Sequence, residues 1–247
     1  MDVTLLRCPV DQGSLTSNET GYRCSVCGSY YVKDDGMPDL AYSPLPDVDG
    51  HVPYIWSDVF YLENVLRQAV KSGAIIVEVC SGPNIIVPLL LKRLNHNVQY
   101  YSVGINKAHL KQQQRGVDFP IYSIKGDATA LPLTSKSIDI YIGHHAINDI
   151  WLTKGSVGVE KSYSEMHRVT KKDGYIIHSD CVLQHDTRVG DPSTKIVNLE
   201  GLKRFLHSHQ YHWVAQNGGE MDWIIASQEQ KCDFEGSTDF LLDGTLS

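Results

Sequence analysis

The sequence has no apolar run near the roughly 18 residues that a helix needs to cross a bilayer, which excludes a helical membrane protein. It is poor in cysteine: six residues in 247 are too few for a disulfide scaffold. Three of them, Cys8, Cys24 and Cys27, crowd the front, whereas Cys80, Cys181 and Cys232 are scattered. That distribution points to a local site at the front of the chain and to a reducing compartment. Residues 1–13 have neither a basic region nor a long apolar region, so no secretory leader is read and a cytoplasmic location is expected. An excess of basic residues is also missing, with 22 Lys and Arg against 29 Asp and Glu. Residues 1–50 hold three basic and eight acidic side chains, and the stretch from Asp233 onward holds four acids and no base. The acidic ends argue against a protein that grips nucleic acid along its whole surface.

What the chain does contain divides it into four parts. Residues 1–42 carry the early cysteines and short strand-like pieces such as Gly21-Tyr22-Arg23 and Tyr30-Tyr31-Val32. Residues 43–50, rich in proline and aspartate, have the composition of an exposed linker. Residues 51–232 alternate apolar strand-like runs with amphipathic stretches, the pattern of a parallel α/β sheet. Residues 233–247 form an acidic tail.

Within the third part the periodicity predicts helices over 58–71, 85–94, 107–115, 159–169 and 199–207. Strands are predicted over 74–79, 99–104, 121–124, 138–143 and 174–179, with two more near 211–216 and 221–227. Gly218-Gly219 between the last two is a hairpin signal. Five strands interleaved with helices and followed by a terminal hairpin imply a Rossmann-like, doubly wound, mostly parallel seven-stranded sheet.

Three motifs carry chemistry. In Val77-Glu78-Val79-Cys80-Ser81-Gly82-Pro83-Asn84 an apolar strand ends in a small-residue turn that leads into a helix, so a ligand can approach the backbone closely. A tight strand–helix connection without any ligand gives the same pattern. In Gly126-Asp127-Ala128-Thr129-Ala130-Leu131-Pro132-Leu133 the carboxylate ends a strand, where it can accept from an exocyclic amine at the carboxyl edge of the sheet. In Glu165-Met166-His167-Arg168-Val169 an amphipathic helix closes through a polar turn and Gly174 into the next strand.

On these residues the stretch 74–228 resembles the class I S-adenosylmethionine-dependent methyltransferases of the small-molecule and quinone-type group. The resemblance implies that Glu78, Cys80, Ser81 and Gly82 line the methionine moiety, that Asp127 meets the adenine amine, and that Ala128 lies along the ring. His144 and His145, at the exit of the fourth strand, would face the sulfonium. The open-sheet rule independently puts a ligand at these strand ends. Two departures stand out. Cys80 and Asn84 stand where the family has glycines, and Asn106 stands where it usually has an acid gripping the ribose hydroxyls. An asparagine offers a single acceptor oxygen, so that grip should weaken or change.

Cys8-Pro9-Val10-Asp11 and Cys24-Ser25-Val26-Cys27 have the spacing of a zinc ribbon, with Asp11 where a fourth cysteine is usual. The segment resembles ribbon modules that front some ribosomal RNA methyltransferases and that occur in methyltransferase-activating partner proteins. With Cys8, Asp11, Cys24 and Cys27 as ligands, such a site is structural. Methyl transfer needs in-line placement and sometimes a base. His145, His144 and His185 are the candidates, with Asp149 and Asp180 nearby, although a rim or packing role fits any single histidine. Tyr54, Trp56 and Tyr61 suit an aromatic lid or equally the core. The expected activity is methyl transfer from S-adenosylmethionine to an oxygen or nitrogen of a small metabolite, with RNA disfavoured as a partner. Two alternatives stay open: an RNA methyltransferase, and a degenerate cofactor-binding partner protein or an enzyme of other chemistry.

Overall fold

The structure, a computed structural model, describes residues 1–41, 56–94, 97–117, 119–181, 197–217, 221–232 and 234. The predicted linker, Tyr54, His185, Gly218-Gly219 and nearly all of the acidic tail lie outside the described residues.

Four short strands open the chain: β1 (Leu15–Ser17), β2 (Gly21–Cys24), β3 (Tyr30–Asp34) and β4 (Met37–Pro38), paired antiparallel in that order. The β3–β4 turn is Asp35-Gly36, with φ of 52° and 80°, an aspartate–glycine pair of the kind two-residue hairpins demand.

Helix α1 (Trp56–Ala69) leads into the larger unit. Strand β5 (Ile75–Val79), helix α2 (Ile86–Arg93), strand β6 (Gln99–Gly104), helix α3 (Lys107–Gly116) and strand β7 (Ile121–Lys125) follow. Then come β8 (Ile138–His144), α4 (Ala146–Val169), β9 (Thr170–Cys181), α5 (Val197–Ser208), β10 (His212–Asn217) and β11 (Met221–Ser227). The seven strands are ordered β10-β11-β9-β8-β5-β6-β7, and only β11 runs against its neighbours. The order reverses at β5, whose neighbours are β6 and β8, so a crevice opens at the carboxyl ends of these strands.

Alternation along the strands divides the core into two layers. Ile76, Tyr100, Ile140, Ile142 and Ile177 pack with Leu62, Leu66, Val87 and Leu91 of α1 and α2. On the opposite face, Val77, Val79, Tyr101, Val103 and Ile124 pack with Ile150, Tyr163 and Met166 of α4 and with Leu202 and Leu206 of α5. The connection 126–137 contains no helix. The front module covers that part of the face instead, because Leu5, Leu6, Tyr31 and Leu40 belong to the same apolar cluster. Arg7 N–H donates to Pro132 O at 3.0 Å, Thr134 N–H to Leu5 O at 2.8 Å, and Leu40 N–H to Lys125 O at 2.8 Å. The last of these, with a parallel bridge between Asp39 and Lys125, closes the β7 edge of the sheet.

Two elements differ from the sequence expectation. Helix α4 starts at Ala146 rather than near Val159, because Gly155 (φ 64°, ψ −165°) breaks one helical stretch into two and hides its periodicity. Strand β9 starts four residues before Gly174, where a Cβ would lie 2.7 Å from Asp139 O and only glycine fits.

Candidate active site

A cleft open to solvent lies at the ends of β5, β6 and β7. Its walls come from three loops, the start of α3 and the first turns of α4: Cys80 to Gly82 after β5, Gly104 to Asn106 after β6, His109 and Leu110 from α3, Asp127 and Ala128 after β7, and Asp149, Ile150, Thr153 and Lys154 from α4. Of the expected ligand-binding residues, Cys80, Ser81, Gly82, Asn106, Asp127 and Ala128 share this cleft. Glu78 lies outside its lining. It is fully buried on the α1–α2 side of the sheet, where the Tyr100 hydroxyl donates to its carboxylate.

The loop after β5 lacks the usual glycines yet still turns. Cys80 sits at φ 56° and Gly82 at φ 58°, both left-handed, a conformation that costs a non-glycine residue about 1 kcal/mol or more. The buried amide of Gln113, on α3, holds the turn in place. Its Nε2 donates to Ser81 Oγ (2.7 Å), Gly82 O (2.9 Å) and Asn84 O (2.9 Å). Gln113 was not singled out in the sequence, since a polar residue on a polar helix carries no signal of its inward direction.

Asn106 is the N-cap of α3: its Oδ1 accepts from Ala108 N–H (2.9 Å) and His109 N–H (3.2 Å). The oxygen is thus committed to the helix, and the amide nitrogen is the group left to meet a ligand. Asp127 is almost wholly buried. One of its oxygens accepts from Thr129 N–H and Oγ1–H, both at 2.8 Å, and the other pairs with the Lys154 ammonium. The turn that follows is pinned from α4. Glu165 accepts from Leu131 N–H at 2.6 Å, and Arg168 donates to Leu131 O (2.9 Å) and Leu133 O (2.8 Å). The two most distinctive sequence motifs are thus bonded to each other.

Behind the cleft lies a buried polar cluster. His144 Nδ1 is 2.8 Å from Ser179 Oγ, His145 Nδ1 lies 3.6 Å from Asp180 Oδ1, and His178 Nε2 lies 3.4 Å from Asp180 Oδ2. The Asn148 side chain also donates to Asp180. His145 has φ 56° at the N-cap of α4, and its N–H donates to Ser179 O at 2.9 Å. His144 and His145 therefore come together, 5.1 Å between ring centres, but beneath the cleft wall rather than on it. Asp149, one turn after His145, does reach the wall. Burial pushes the Cys80 thiol well above its ordinary pKa, and the carboxylates of Asp149, Asp127, Asp180 and Glu78 add to that shift. Two carboxylates, Asp127 and Asp149, thus line the cleft with Cys80, and Lys154 in the same lining pairs with the first.

At the front of the chain, Cys8, Asp11, Cys24 and Cys27 bring their ligand atoms within 4.8 Å of one another. Tetrahedral Zn–S bonds of about 2.3 Å place sulfurs about 3.8 Å apart, and Cys8 Sγ lies 3.7 Å from Cys27 Sγ. Val26 N–H points at Cys24 Sγ (3.3 Å), and the Tyr31 hydroxyl lies 3.1 Å from Cys8 Sγ. Gly13 N–H holds Asp11, keeping its carboxyl near pKa 2 and ionised. Donor set and spacing fit a tetrahedral cation.

Comparison with known proteins bears on the same region. Solved structures of similar fold include a phosphoethanolamine N-methyltransferase 2 of Haemonchus contortus in complex with S-adenosyl-L-methionine, at 13% identity and a TM-score of 0.56 over 71% of this chain and 53% of that one. A SAM-dependent methyltransferase of Aquifex aeolicus matches at 15% identity and a TM-score of 0.50, over 70% of this chain and 98% of that one. A complex of the Haloferax volcanii Trm112 methyltransferase activator with a methyltransferase matches at 10% identity and a TM-score of 0.54, over 70% of this chain and 89% of that one. At these identities the likeness is one of fold. No curated protein matches the chain by sequence. Residues 77–178, which build most of the cleft, match the family model described as a methyltransferase domain. The stretch that matches a methyltransferase domain thus lies on a Rossmann-like seven-stranded sheet, with a small stranded module at the front of the chain.

Proposed function

We propose that the protein transfers a methyl group from S-adenosylmethionine to an oxygen or nitrogen of a small metabolite. The observation that carries this reading is the convergence in one cleft of Cys80, Ser81 and Gly82, of Asn106, and of Asp127 with Ala128, at the carboxyl ends of three adjacent parallel strands. Bound there, S-adenosylmethionine supplies an electrophilic methyl group on a sulfonium. Cys80, Ser81 and Gly82 would hold the methionine part, Asn106 would donate to the ribose, and Asp127 with Ala128 would hold the adenine. Transfer there needs chiefly in-line placement; His145, beside Asp180, and His144, beside Ser179, lie beneath the wall and would take a proton from the acceptor through Asp149, which reaches the wall one turn after His145.

Cys8, Asp11, Cys24 and Cys27 would hold Zn²⁺ in a structural role, since four protein ligands leave no open position. A second reading, methylation of RNA, draws on Arg23, whose guanidinium lies 5.6 Å from the ring centre of the exposed Tyr30 on the front module. The module's acidic balance speaks against it. The test supplies the purified chain with S-adenosylmethionine and either a dialysable metabolite fraction or total RNA, and follows S-adenosylhomocysteine. Product formed with the metabolite fraction supports the proposal; product formed only with RNA overturns the substrate class.

A further inference from the structure

Helix α3 begins at the cleft and has no acid in its first turn. It carries Lys107 and Lys111 instead, and cations near a helix N-terminus oppose its dipole. The compensating acids come from the front module. The β3–β4 hairpin reaches around the β7 edge, so that Asp34 pairs with Lys107 and Asp35 pairs with Lys111. Lys125 and Asp39, 2.8 Å apart, make a third link along the same edge. Asn106, His109 and Leu110, at the start of this helix, line the cleft.

We propose that Asp34 and Asp35 are positioning residues of the cleft, through which the front module holds the N-terminus of α3, and with it Asn106, in place for the nucleoside. Neither aspartate lines the cleft. They act through Lys107 and Lys111 on a helix start that the Asn106 cap and the buried Leu110 also hold. The consequence is linkage: whatever orders the module, a bound metal included, strengthens nucleoside binding at a cleft that the module does not itself form. The nucleoside part of the inference rests on the reading of the cleft as an S-adenosylmethionine site; the hold on α3 does not.

The test compares the unaltered chain with the double variant Asp34→Asn, Asp35→Asn, and with Lys33→Gln as a charge change on the same strand. Amide hydrogen exchange reads the helix start directly. The double variant should exchange faster at Ala108, His109 and Leu110 while the central strands β5 and β8 stay protected; Lys33→Gln should leave the helix start unchanged. Calorimetry with S-adenosylhomocysteine should show affinity weakened about three- to tenfold at low salt, the gap closing near 1 M salt, where exposed ion pairs are screened. Unchanged exchange at residues 108–110 in the double variant overturns the proposal. Faster exchange with unchanged affinity overturns the link to the cleft. If the unaltered chain does not bind S-adenosylhomocysteine while exchange still responds, the cofactor reading falls and the hold on α3 stands.

Discussion

Lys154, the last residue before the break in α4, pairs with one oxygen of Asp127 while Thr129 holds the other. A nucleoside amine seeking Asp127 therefore meets a carboxylate that already has a cationic partner. Replacing Lys154 with Met leaves a buried carboxylate with only the Thr129 donors. The cost should be about 1–3 kcal/mol, reduced from that of a fully buried pair because the lysine is a quarter exposed. The variant's Tm should fall, and S-adenosylhomocysteine should raise it by more than it raises that of the unaltered chain. A smaller rise in a thermal-shift assay would make Lys154 a ligand contact instead of a competitor.

Asn106 offers a change in the opposite direction. An aspartate caps a helix as well as an asparagine does, and its second oxygen would face the ribose as a charged acceptor. Asn106→Asp should tighten S-adenosylhomocysteine about tenfold, the difference between a neutral and a charge-assisted hydrogen bond. Asn106→Ala should lose about 1 kcal/mol of stability with the cap. Titration calorimetry and urea unfolding separate the two effects.

The front module should contain one zinc per chain by elemental analysis. Cys24→Ser should abolish it and lower the stability of the whole chain, because Cys8 and Cys24 belong to the same apolar cluster as the central strands. Asp11→Asn should retain the fold but hold zinc less tightly, since a neutral amide is a poorer ligand than a carboxylate. A chain that purifies without metal and unfolds at the same urea concentration with and without added zinc would contradict both.

His167 gives a pH dependence. Burial lowers its pKa to about 4, with Lys136 and His209 adding to the effect, so the folded chain keeps the ring neutral where the unfolded chain protonates it near 6.5. The unfolded state then binds more protons between these values, and stability rises with pH across that window. The contribution is full above about 6.5, shrinks as pH falls toward 4, and changes no further below. Ring exposure limits it to about 1 kcal/mol. His167→Gln should narrow the difference in unfolding free energy between pH 4.5 and pH 7, read from urea titrations, by about that amount.

The order of elements was legible because buried parallel strands read as short apolar runs: β6 and β11 fall where the periodicity put them, and β5, β7 and β8 within a residue at each end. The cleft loops were legible for a related reason, since small residues after a strand leave a trace in composition. Other features left none. The direction of Glu78 depends on strand parity relative to Tyr100, and the inward turn of Gln113 depends on which face α3 buries. Asn106 was expected to face the ribose with its oxygen, but capping claims that atom first. The pairing of Asp127 with Lys154 joins residues 27 apart across a glycine break that masks the helical period. The partnership of the front module with α3 joins segments more than 70 positions apart, and charge patterning within either segment is silent about it.

The Asp39–Lys125 bridge leaves the large sheet with a single outer strand on which nothing further is paired among the described residues, β10. Any self-association by strand addition would have to run along His212–Asn217, far from the metal-ligand cluster and from the nucleoside end of the crevice. Two copies joined in that way would keep both crevices open at the distant flanks of one continuous sheet.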